Sequence, residues 1–229
     1  MTPVSEAMGT GTLALVGGGE WQEGCAFDAD LLEASGAEEV VVLPTAAAYE
    51  RPERCVTQAR RWFEGLGATV RPLDVLLRGD AEEEANATAV REARFVYLAG
   101  GSSLHLRSVL KDSALWDALV AAWQHGAVVA GSSAGAMVLT DPMVDPRGGA
   151  FTVGLGLVSQ LAIVPNYDSW SPEKAHRTLE LAPAGLPVVG IEERTAVIRD
   201  ADGTWRAAGA GGVSVFVDGQ EASLEALPT

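Results

Sequence analysis

The segment of residues 127–136, Ala-Val-Val-Ala-Gly-Ser-Ser-Ala-Gly-Ala, constrains the fold of this chain more than any other. Its small and β-branched beginning predicts a buried strand, and its end continues into the helix-forming residues Met137 and Leu139. Gly-x-Ser-x-Gly lies between them, with Ser133 at its centre. This layout is typical of a nucleophile elbow, a sharp strand-to-helix turn that exposes the serine hydroxyl over the edge of a sheet. The alternative is a glycine- and serine-rich turn without chemistry.

Two backbone amides are candidates for stabilising negative charge near this turn. The N–H of Ala134 opens the helix, where free amides and the helix dipole favour an anion. Gly100-Gly101 ends another predicted strand about one strand–helix unit earlier. Because the carboxyl ends of neighbouring parallel strands face one crevice, we expect Gly101 and Ala134 to form a two-donor oxyanion hole. For the glycine pair, the alternative is a turn that needs glycine only for its backbone geometry.

Strands and helices alternate over the first part of the chain. Strands are predicted at residues 12–16, 39–43, 69–72, 94–98 and 127–130, and helices at 26–35, 52–66, 80–91 and 112–125, the acidic 80–91 helix being solvated. A further helix is predicted to be capped by Ser102 and to carry Leu104, Val109 and Leu110. The alternation predicts a three-layer α/β/α fold with a mostly parallel central sheet. Short strands follow at 161–164, 188–191, 195–198, 204–207 and 213–217, with a hairpin turn at Asp202-Gly203. We expect a single domain, with a core at residues 12–217 and an edge or tail at 220–229.

Composition narrows the classes of partner. The chain has 229 residues and a formal net charge of −15, so it repels phosphate backbones and anionic membranes. No apolar run approaches the ~20 residues of a membrane span, and residues 1–9 lack the basic start of a cleavable leader. Cys25 and Cys55 have no metal-like spacing and are expected to be free thiols. We therefore expect a cytoplasmic monomer or homodimer that binds neither nucleic acid nor membrane.

The glycine run Gly17-Gly18-Gly19 is a candidate nucleotide loop that fails on its spacing. Gln22 occupies the position where the dinucleotide fingerprint has its last glycine, and no P-loop lysine and hydroxyl follow. A tight turn at the end of a strand is the better interpretation, and no cofactor or metal is expected.

Several motifs together resemble the cyanophycinase and aspartyl dipeptidase family of serine peptidases. They are LAGGSSLHL at residues 98–106, GSSAGA at 131–136, VGIEERTA at 189–196, GTW at 203–205 and GGVSVF at 211–216. The resemblance extends over roughly residues 12–217. It implies a class I glutamine amidotransferase-like fold and amide hydrolysis by a Ser-His-Glu arrangement without a metal. By position it makes Ser133 the nucleophile and Glu193 the carboxylate, with Gly101 and Ala134 as the oxyanion hole.

The resemblance also indicates where substrate is bound. Gly100 and Ser102 flank the oxyanion donor Gly101, and the family more often has Asn or Asp at the position of Ser102. The similar proteins favour Asp-containing dipeptides or β-linked aspartate polymers. Arg147 and Arg194 are candidates, by position, for holding such a carboxylate.

Asn166 is the main departure from the family pattern. The segment 161–168, LAIVPNYD, has asparagine where similar proteins have the histidine that acts as general base. Asparagine does not accept the Ser133 proton at ordinary pH, whereas imidazole titrates near neutrality. In a comparable serine hydrolase, loss of the histidine alone costs about 10⁶ in turnover, although an oxyanion hole retains ~10³–10⁴ over water. Either another group is the base, or the substitution was introduced to trap a substrate, or the chain is a poor hydrolase.

The chain has three other imidazoles. His125 lies at a helix end, where it suits the dipole; His105 is expected to pack on Val109; and His176 is expected to pair with Glu180 on the solvated face of a helix. His105 and His176 stay open as alternative bases. Ser133, Asp168 and His176 also follow the order of an α/β-hydrolase triad, although the last two are close together in sequence. A cysteine-dependent amidotransferase is disfavoured because serine occupies the elbow.

Two functions follow from these residues. The first is a serine hydrolase that cleaves an amide bond of a small peptide through an acyl-enzyme at Ser133. The second, from Asn166, is a catalytically impaired protein that binds a small ligand or a partner in the same crevice.

Overall fold

The computed structural model describes residues 10–147 and 149–228. Residues 1–9, over which we expect no leader, and Thr229, the last residue of the predicted tail, lie outside the described residues. The strands, in chain order, are β1 (Leu13–Val16), β2 (Glu39–Leu43), β3 (Thr69–Pro72), β4 (Phe95–Leu98), β5 (Val128–Ser132), β6 (Thr140–Asp141), β7 (Met143–Val144), β8 (Phe151–Thr152), β9 (Val158–Ser159), β10 (Ala162–Pro165), β11 (Val188–Ile191), β12 (Thr195–Arg199), β13 (Trp205–Gly209), β14 (Val213–Val217) and β15 (Gln220–Ala222).

The central sheet has seven strands in the order β13-β12-β1-β5-β4-β2-β3. The five strands from β1 to β3 in this order are mutually parallel, and β12 and β13 extend the β1 edge antiparallel. Along β1, Leu13 and Leu15 join the core on one face, whereas Ala14 and Val16 join the core on the other. Burial on both faces explains why these strands are continuous apolar runs rather than alternating ones.

Helices cover both faces of this sheet. They are α1 (Phe27–Ser35), α2 (Pro52–Gly65), α3 (Glu84–Arg91), α4 (Ser103–Leu110), α5 (Ala114–Gln124), α6 (Ala134–Leu139) and α7 (Pro172–Glu180). Phe27 of α1 and Phe63 of α2 pack into the core on one face, and Val90, Leu110 and Leu119 of α3, α4 and α5 pack into the core on the other. The predicted three-layer α/β/α fold with a mostly parallel sheet is confirmed.

The predicted solvated helix over residues 80–91 is wrong in two respects. The segment begins with a short 3₁₀ turn, Asp80–Glu82, and α3 follows it. Ala87 and Val90 of α3 are fully buried in the core. Acidic residues surround this narrow apolar stripe, so the sequence pattern does not show it clearly. Its small side chains let α3 pack closely against α5.

The short C-terminal strands divide between two sheets. β12 and β13 join the central sheet, and the turn at Asp202-Gly203 connects them as predicted. β10, β11, β14 and β15 form a second, four-stranded sheet, and β15 accounts for the start of the predicted tail. The two-stranded pairs β6-β9 and β7-β8 lie in the connection between α6 and β10. The chain passes from the second sheet to the central one between Ile191 and Thr195, which brings that link to the edge where β1, β4 and β5 end.

A membrane-spanning helix and a metal site each have structural requirements that the described residues do not meet. Within residues 10–147 and 149–228, none of the helices combines the length and apolar composition that crossing a bilayer requires. The same residues contain no group of His, Cys, Asp and Glu side chains arranged to hold a metal ion.

Candidate active site

Ser133 lies at a strained turn between β5 and α6. Its φ of 49° and ψ of −106° are unusual for a residue with a side chain. Glycine on either side makes the turn possible. A Cβ on Gly131 would lie 2.6 Å from the carbonyl carbon of Gly135, and a Cβ on Gly135 would lie 2.4 Å from Leu98 O of β4. The turn is therefore folded onto itself and pressed against β4, with the Ser133 side chain half-buried at its tip.

The end of β1 anchors three segments of the site by backbone hydrogen bonds. The Ser133 N–H donates to Val16 O at 2.9 Å, the Asn166 N–H to Gly17 O at 2.6 Å, and the Arg194 N–H to Gly18 O at 2.7 Å. Close approach requires glycine here, because a Cβ on Gly17 would lie 2.2 Å from Glu192 O. The sequence predicted a tight turn at this run, and the structure adds its role as the anchor of the site.

Asn166 faces Ser133. It follows β10 in the left-handed conformation, with φ 50° and ψ 43°, and its Nδ2 donates a hydrogen bond to Ser133 Oγ at 3.4 Å. Gly18 leaves the space that this side chain occupies, since a Cβ there would lie 2.2 Å from Asn166 Oδ1. A carboxamide therefore stands where a serine hydrolase needs a proton acceptor.

The two predicted oxyanion donors lie close to Ser133, because Ala134 follows it in the chain and Gly101 lines the same crevice as Ser133. Gly101 has a φ of 137°, and a Cβ on it would lie 2.3 Å from Ala46 O. Within the part of the chain that the structure describes, neither the Gly101 N–H nor the Ala134 N–H has a hydrogen-bond acceptor. Ser102 caps α4, its Oγ accepting the His105 N–H at 3.3 Å. The Gly100 N–H, by contrast, already donates to Glu20 Oε1 at 3.1 Å, a contact that the sequence did not suggest.

Glu193 makes no hydrogen bond to Asn166 or Ser133 among the described residues. Its side chain is exposed, and no described residue hydrogen-bonds to it; its N–H donates to Asp168 Oδ1 at 3.2 Å. The adjacent Glu192 turns away and accepts the Gly212 N–H at 2.7 Å. With asparagine at position 166, the site offers no imidazole N–H that would draw the Glu193 carboxylate inward.

Each of the three imidazoles is engaged elsewhere. His105 Nε2 lies 2.9 Å from Leu76 O and its ring meets the Tyr49 ring edge-on, so these contacts hold the imidazole, and its packing on Val109 stays a prediction. His125 Nδ1 lies 2.6 Å from Ala121 O. His176 pairs with Glu180 at 3.3 Å, as expected, so the alternative triad with Asp168 is not assembled.

A crevice of about 380 Å³ opens beside Ser133. Its walls are Gly101, Ser102, Ser103, Leu104, Ser133, Met137, Pro146, Arg147, Pro165, Asn166, Trp170 and Lys174. Arg147 binds Asp145 through three hydrogen bonds, two from its guanidinium and one from its backbone N–H, which lower the pKa of that carboxyl to about 2. Lys174 Nζ lies 3.7 Å from the centre of the Trp170 ring. Arg194, the other candidate for binding a carboxylate, is not part of this wall.

Two residues of the crevice, Trp170 and Lys174, were missed from the sequence. Trp170 follows the Asn166 turn, and Lys174 lies in the first turn of α7, whose N-cap is Ser171; no sequence motif marks either residue.

A model of peptidase family S51 matches residues 13–205 of the chain. A cyanophycinase from Synechococcus elongatus is 27% identical over 205 residues, which are 83% of this chain and 62% of the relative. The chain thus spans less than two thirds of the length of that relative. The crystal structure of a peptidase from an acI-B1 Actinobacterium superposes with a TM-score of 0.84 at 28% identity and covers 94% of each chain. A putative peptidase E protein from Listeria monocytogenes EGD-e shares the fold, with a TM-score of 0.64 at 17% identity over 93% of this chain and all of the other.

Proposed function

Since the chain belongs to peptidase family S51, we propose that it is a serine hydrolase that cleaves amide bonds of small peptides or peptide-like substrates through an acyl-enzyme at Ser133. The observation that carries this proposal is the strained elbow at Ser133, close to the Gly101 and Ala134 N–H groups, which have no acceptor among the described residues. The Ser133 Oγ attacks the carbonyl carbon, and its proton leaves for solvent. The N–H groups of Gly101 and Ala134 bind the oxyanion of the tetrahedral intermediate, which collapses to an ester as the amine departs with a proton. Water then hydrolyses the ester and restores Ser133.

The carboxamide of Asn166 makes this reaction slow for ordinary amides. It donates a hydrogen bond to Ser133 Oγ, which orients the oxygen and stabilises its negative charge, but it does not take the proton. An amine leaving group must also be protonated, whereas the leaving group of an activated ester departs without a proton. We therefore expect activated esters and phosphonates to react much faster than peptides.

The crevice favours a small substrate that carries a carboxylate. Lys174 lies on its wall with the Trp170 ring beneath it, and Arg147 lies on the same wall with its guanidinium paired to Asp145. Acidic peptides, which the sequence resemblance also implies, fit this combination.

A second candidate function is binding without turnover. It is favoured by Asn166 together with the engagement of all three imidazoles away from Ser133. The same crevice would then hold a small acidic ligand, and Ser133 would contact it without reacting.

A fluorophosphonate probe followed by intact-mass measurement separates the two candidates. The wild-type chain is expected to gain one adduct over hours, and Ser133→Ala to gain none. Ser108→Ala is a matched control, because Ser108 is an exposed serine on α4 whose hydroxyl donates to the His105 carbonyl within its own helix. A wild-type chain that binds an acidic dipeptide by calorimetry, yet gains no adduct, would establish the binding function instead.

A further inference from the structure

We infer that Glu20 is a positioning residue that holds the nucleophile turn and the oxyanion hole in register. This inference rests on the proposed function of Ser133. Glu20 follows the glycine run at the end of β1 and is half-buried beneath the turn. No motif in the sequence marks this carboxylate.

The Glu20 carboxylate bridges two strands that are distant in sequence. Its Oε1 accepts the Gly100 N–H at 3.1 Å, beyond the end of β4. Its Oε2 accepts the Ser132 hydroxyl at 2.7 Å, at the end of β5. Gln58 of α2 in turn donates to the Glu20 carbonyl at 3.0 Å, which helps to fix the Glu20 backbone. Hydrogen bonds to a carboxylate are among the stronger ones in proteins, so this bridge is a firm link.

Each partner of the bridge immediately precedes a group of the proposed reaction. Gly100 precedes the donor Gly101, and Ser132 precedes the nucleophile Ser133. The two segments are close, because a Cβ on Gly100 would lie 3.2 Å from Glu20 Oε1 and 3.5 Å from Ser133 Cβ. One carboxylate therefore fixes the distance between the attacking oxygen and one of the two N–H donors. A donor that is displaced by a fraction of an ångström binds the oxyanion less well.

The geometry identifies Glu20 as a positioning residue rather than a proton acceptor. Both of its oxygens already accept hydrogen bonds from protein groups. A negative charge beside an oxyanion opposes the reaction, so the benefit of this side chain lies in its two bonds. Glutamine preserves both, because its oxygen accepts the Gly100 N–H and its amide donates to the Ser132 hydroxyl, which also accepts.

Labelling rates of Glu20→Ala and Glu20→Gln with the fluorophosphonate test this role. We expect Glu20→Ala to react about 10- to 100-fold more slowly than wild type, a loss no greater than that caused by removing a whole oxyanion donor. The rate of Glu20→Gln should stay within about threefold of wild type. A boronic acid that forms a tetrahedral adduct should lose affinity in parallel in Glu20→Ala, whereas a planar product peptide should bind as before. Glu23→Ala is the matched control, since it removes an exposed carboxylate from the same loop.

The possible outcomes separate this inference from the proposed function. If the wild-type chain is labelled and Glu20→Ala is labelled equally fast, the positioning role is wrong. Equal losses in Glu20→Ala and Glu20→Gln would show that the charge or a proton transfer matters, and would also overturn it. If the wild-type chain is not labelled at all, the proposed function fails first, and this inference with it. Should Glu20→Ala not fold, Ser132→Ala removes one of the two bonds alone, and an unchanged labelling rate in that variant would refute the role.

Discussion

Asn166→His is the substitution that tests whether the site lacks only its base. The asparagine amide lies 3.4 Å from Ser133 Oγ, so an imidazole on the same Cα is within reach of the hydroxyl. Gly18 leaves room for a ring, since the space where its Cβ would be is already occupied by the Asn166 side chain. Histidine also tolerates the φ of 50° better than most residues, as asparagine does.

The size of the gain follows from the role of the base. A positioned general base contributes about 10²–10⁴ in rate, which is about 3–5 kcal/mol of barrier. A complete set of partners is worth about 10⁶ in a comparable hydrolase. Because the Glu193 side chain is exposed and has no hydrogen bond to position 166, the new imidazole would lack an oriented carboxylate. We therefore expect Asn166→His to raise peptidase activity about 10²–10⁴-fold, which is less than the 10⁶ that a complete set of partners contributes.

The assay is hydrolysis of an acidic dipeptide, measured by amine release over a range of pH. In Asn166→His the rate should rise with pH and level off above an apparent pKa near 6.5, because only the neutral imidazole accepts a proton. The wild-type chain should lack that step. Asn166→Gln is the control for a longer side chain without a base, and Asn166→His with Ser133→Ala is the control for background. If Asn166→His hydrolyses the peptide no faster than wild type, the other parts of the site are not arranged for acyl transfer and the reasoning is refuted.

Two further changes test the surroundings of the site. Burial raises the pKa of Asp28 from 3.8 to about 8, against the hydrogen bond from Trp62 and with the help of nearby Glu20, so the folded chain holds a proton there that the unfolded chain loses. The free energy of unfolding should therefore fall as pH rises from about 4 to about 8. Asp28→Asn should remove that fall and be more stable than wild type at pH 9 by at most about 6 kcal/mol. Urea unfolding at pH 5, 7 and 9 measures the difference, and parallel curves for the two proteins would contradict it. Gly101→Ala forces a Cβ against Ala46 O, so we expect a loss of about 1–3 kcal/mol in stability and at least about a tenfold slower fluorophosphonate reaction. Gly65→Ala, at the end of α2 with nothing near the added Cβ, is its control, and equal effects of the two substitutions would show that the Gly101 turn is not special.

The sequence predicts the parallel part of the fold well for a physical reason. Strands buried on both faces are short continuous apolar runs, and the helices between them end at glycines such as Gly36, whose φ is 56°. The C-terminal strands are equally clear as strands. Their division between two sheets is not encoded locally, because the sheet that a strand joins depends on partners far along the chain.

For the candidate site, too, the sequence predicts the local features and not the contacts between residues that are far apart along the chain. The elbow glycines and the cap at Ser102 are local features, and the sequence predicts them. Glu20 acts on Gly100 and Ser132, which are 80 and 112 residues away, so no local pattern indicates it. Lys174 and Trp170 reach the crevice only because α7 folds back beside the Asn166 turn.

The absence of a histidine at position 166 leaves the architecture of the site intact, and the hydrogen bonds explain why. Ser133, Asn166 and Arg194 are held by their backbone N–H groups on the carbonyls of residues 16–18, and none of these bonds uses a side chain. The bridge at Glu20 likewise involves no group that an imidazole would supply. Exchange of histidine for asparagine therefore removes a proton acceptor without removing a structural contact, and asparagine suits the left-handed backbone at that position. Assembly of the proposed oxyanion hole and proton transfer are thus separable in this fold, and we expect a base introduced at position 166 to act on an elbow that is already formed.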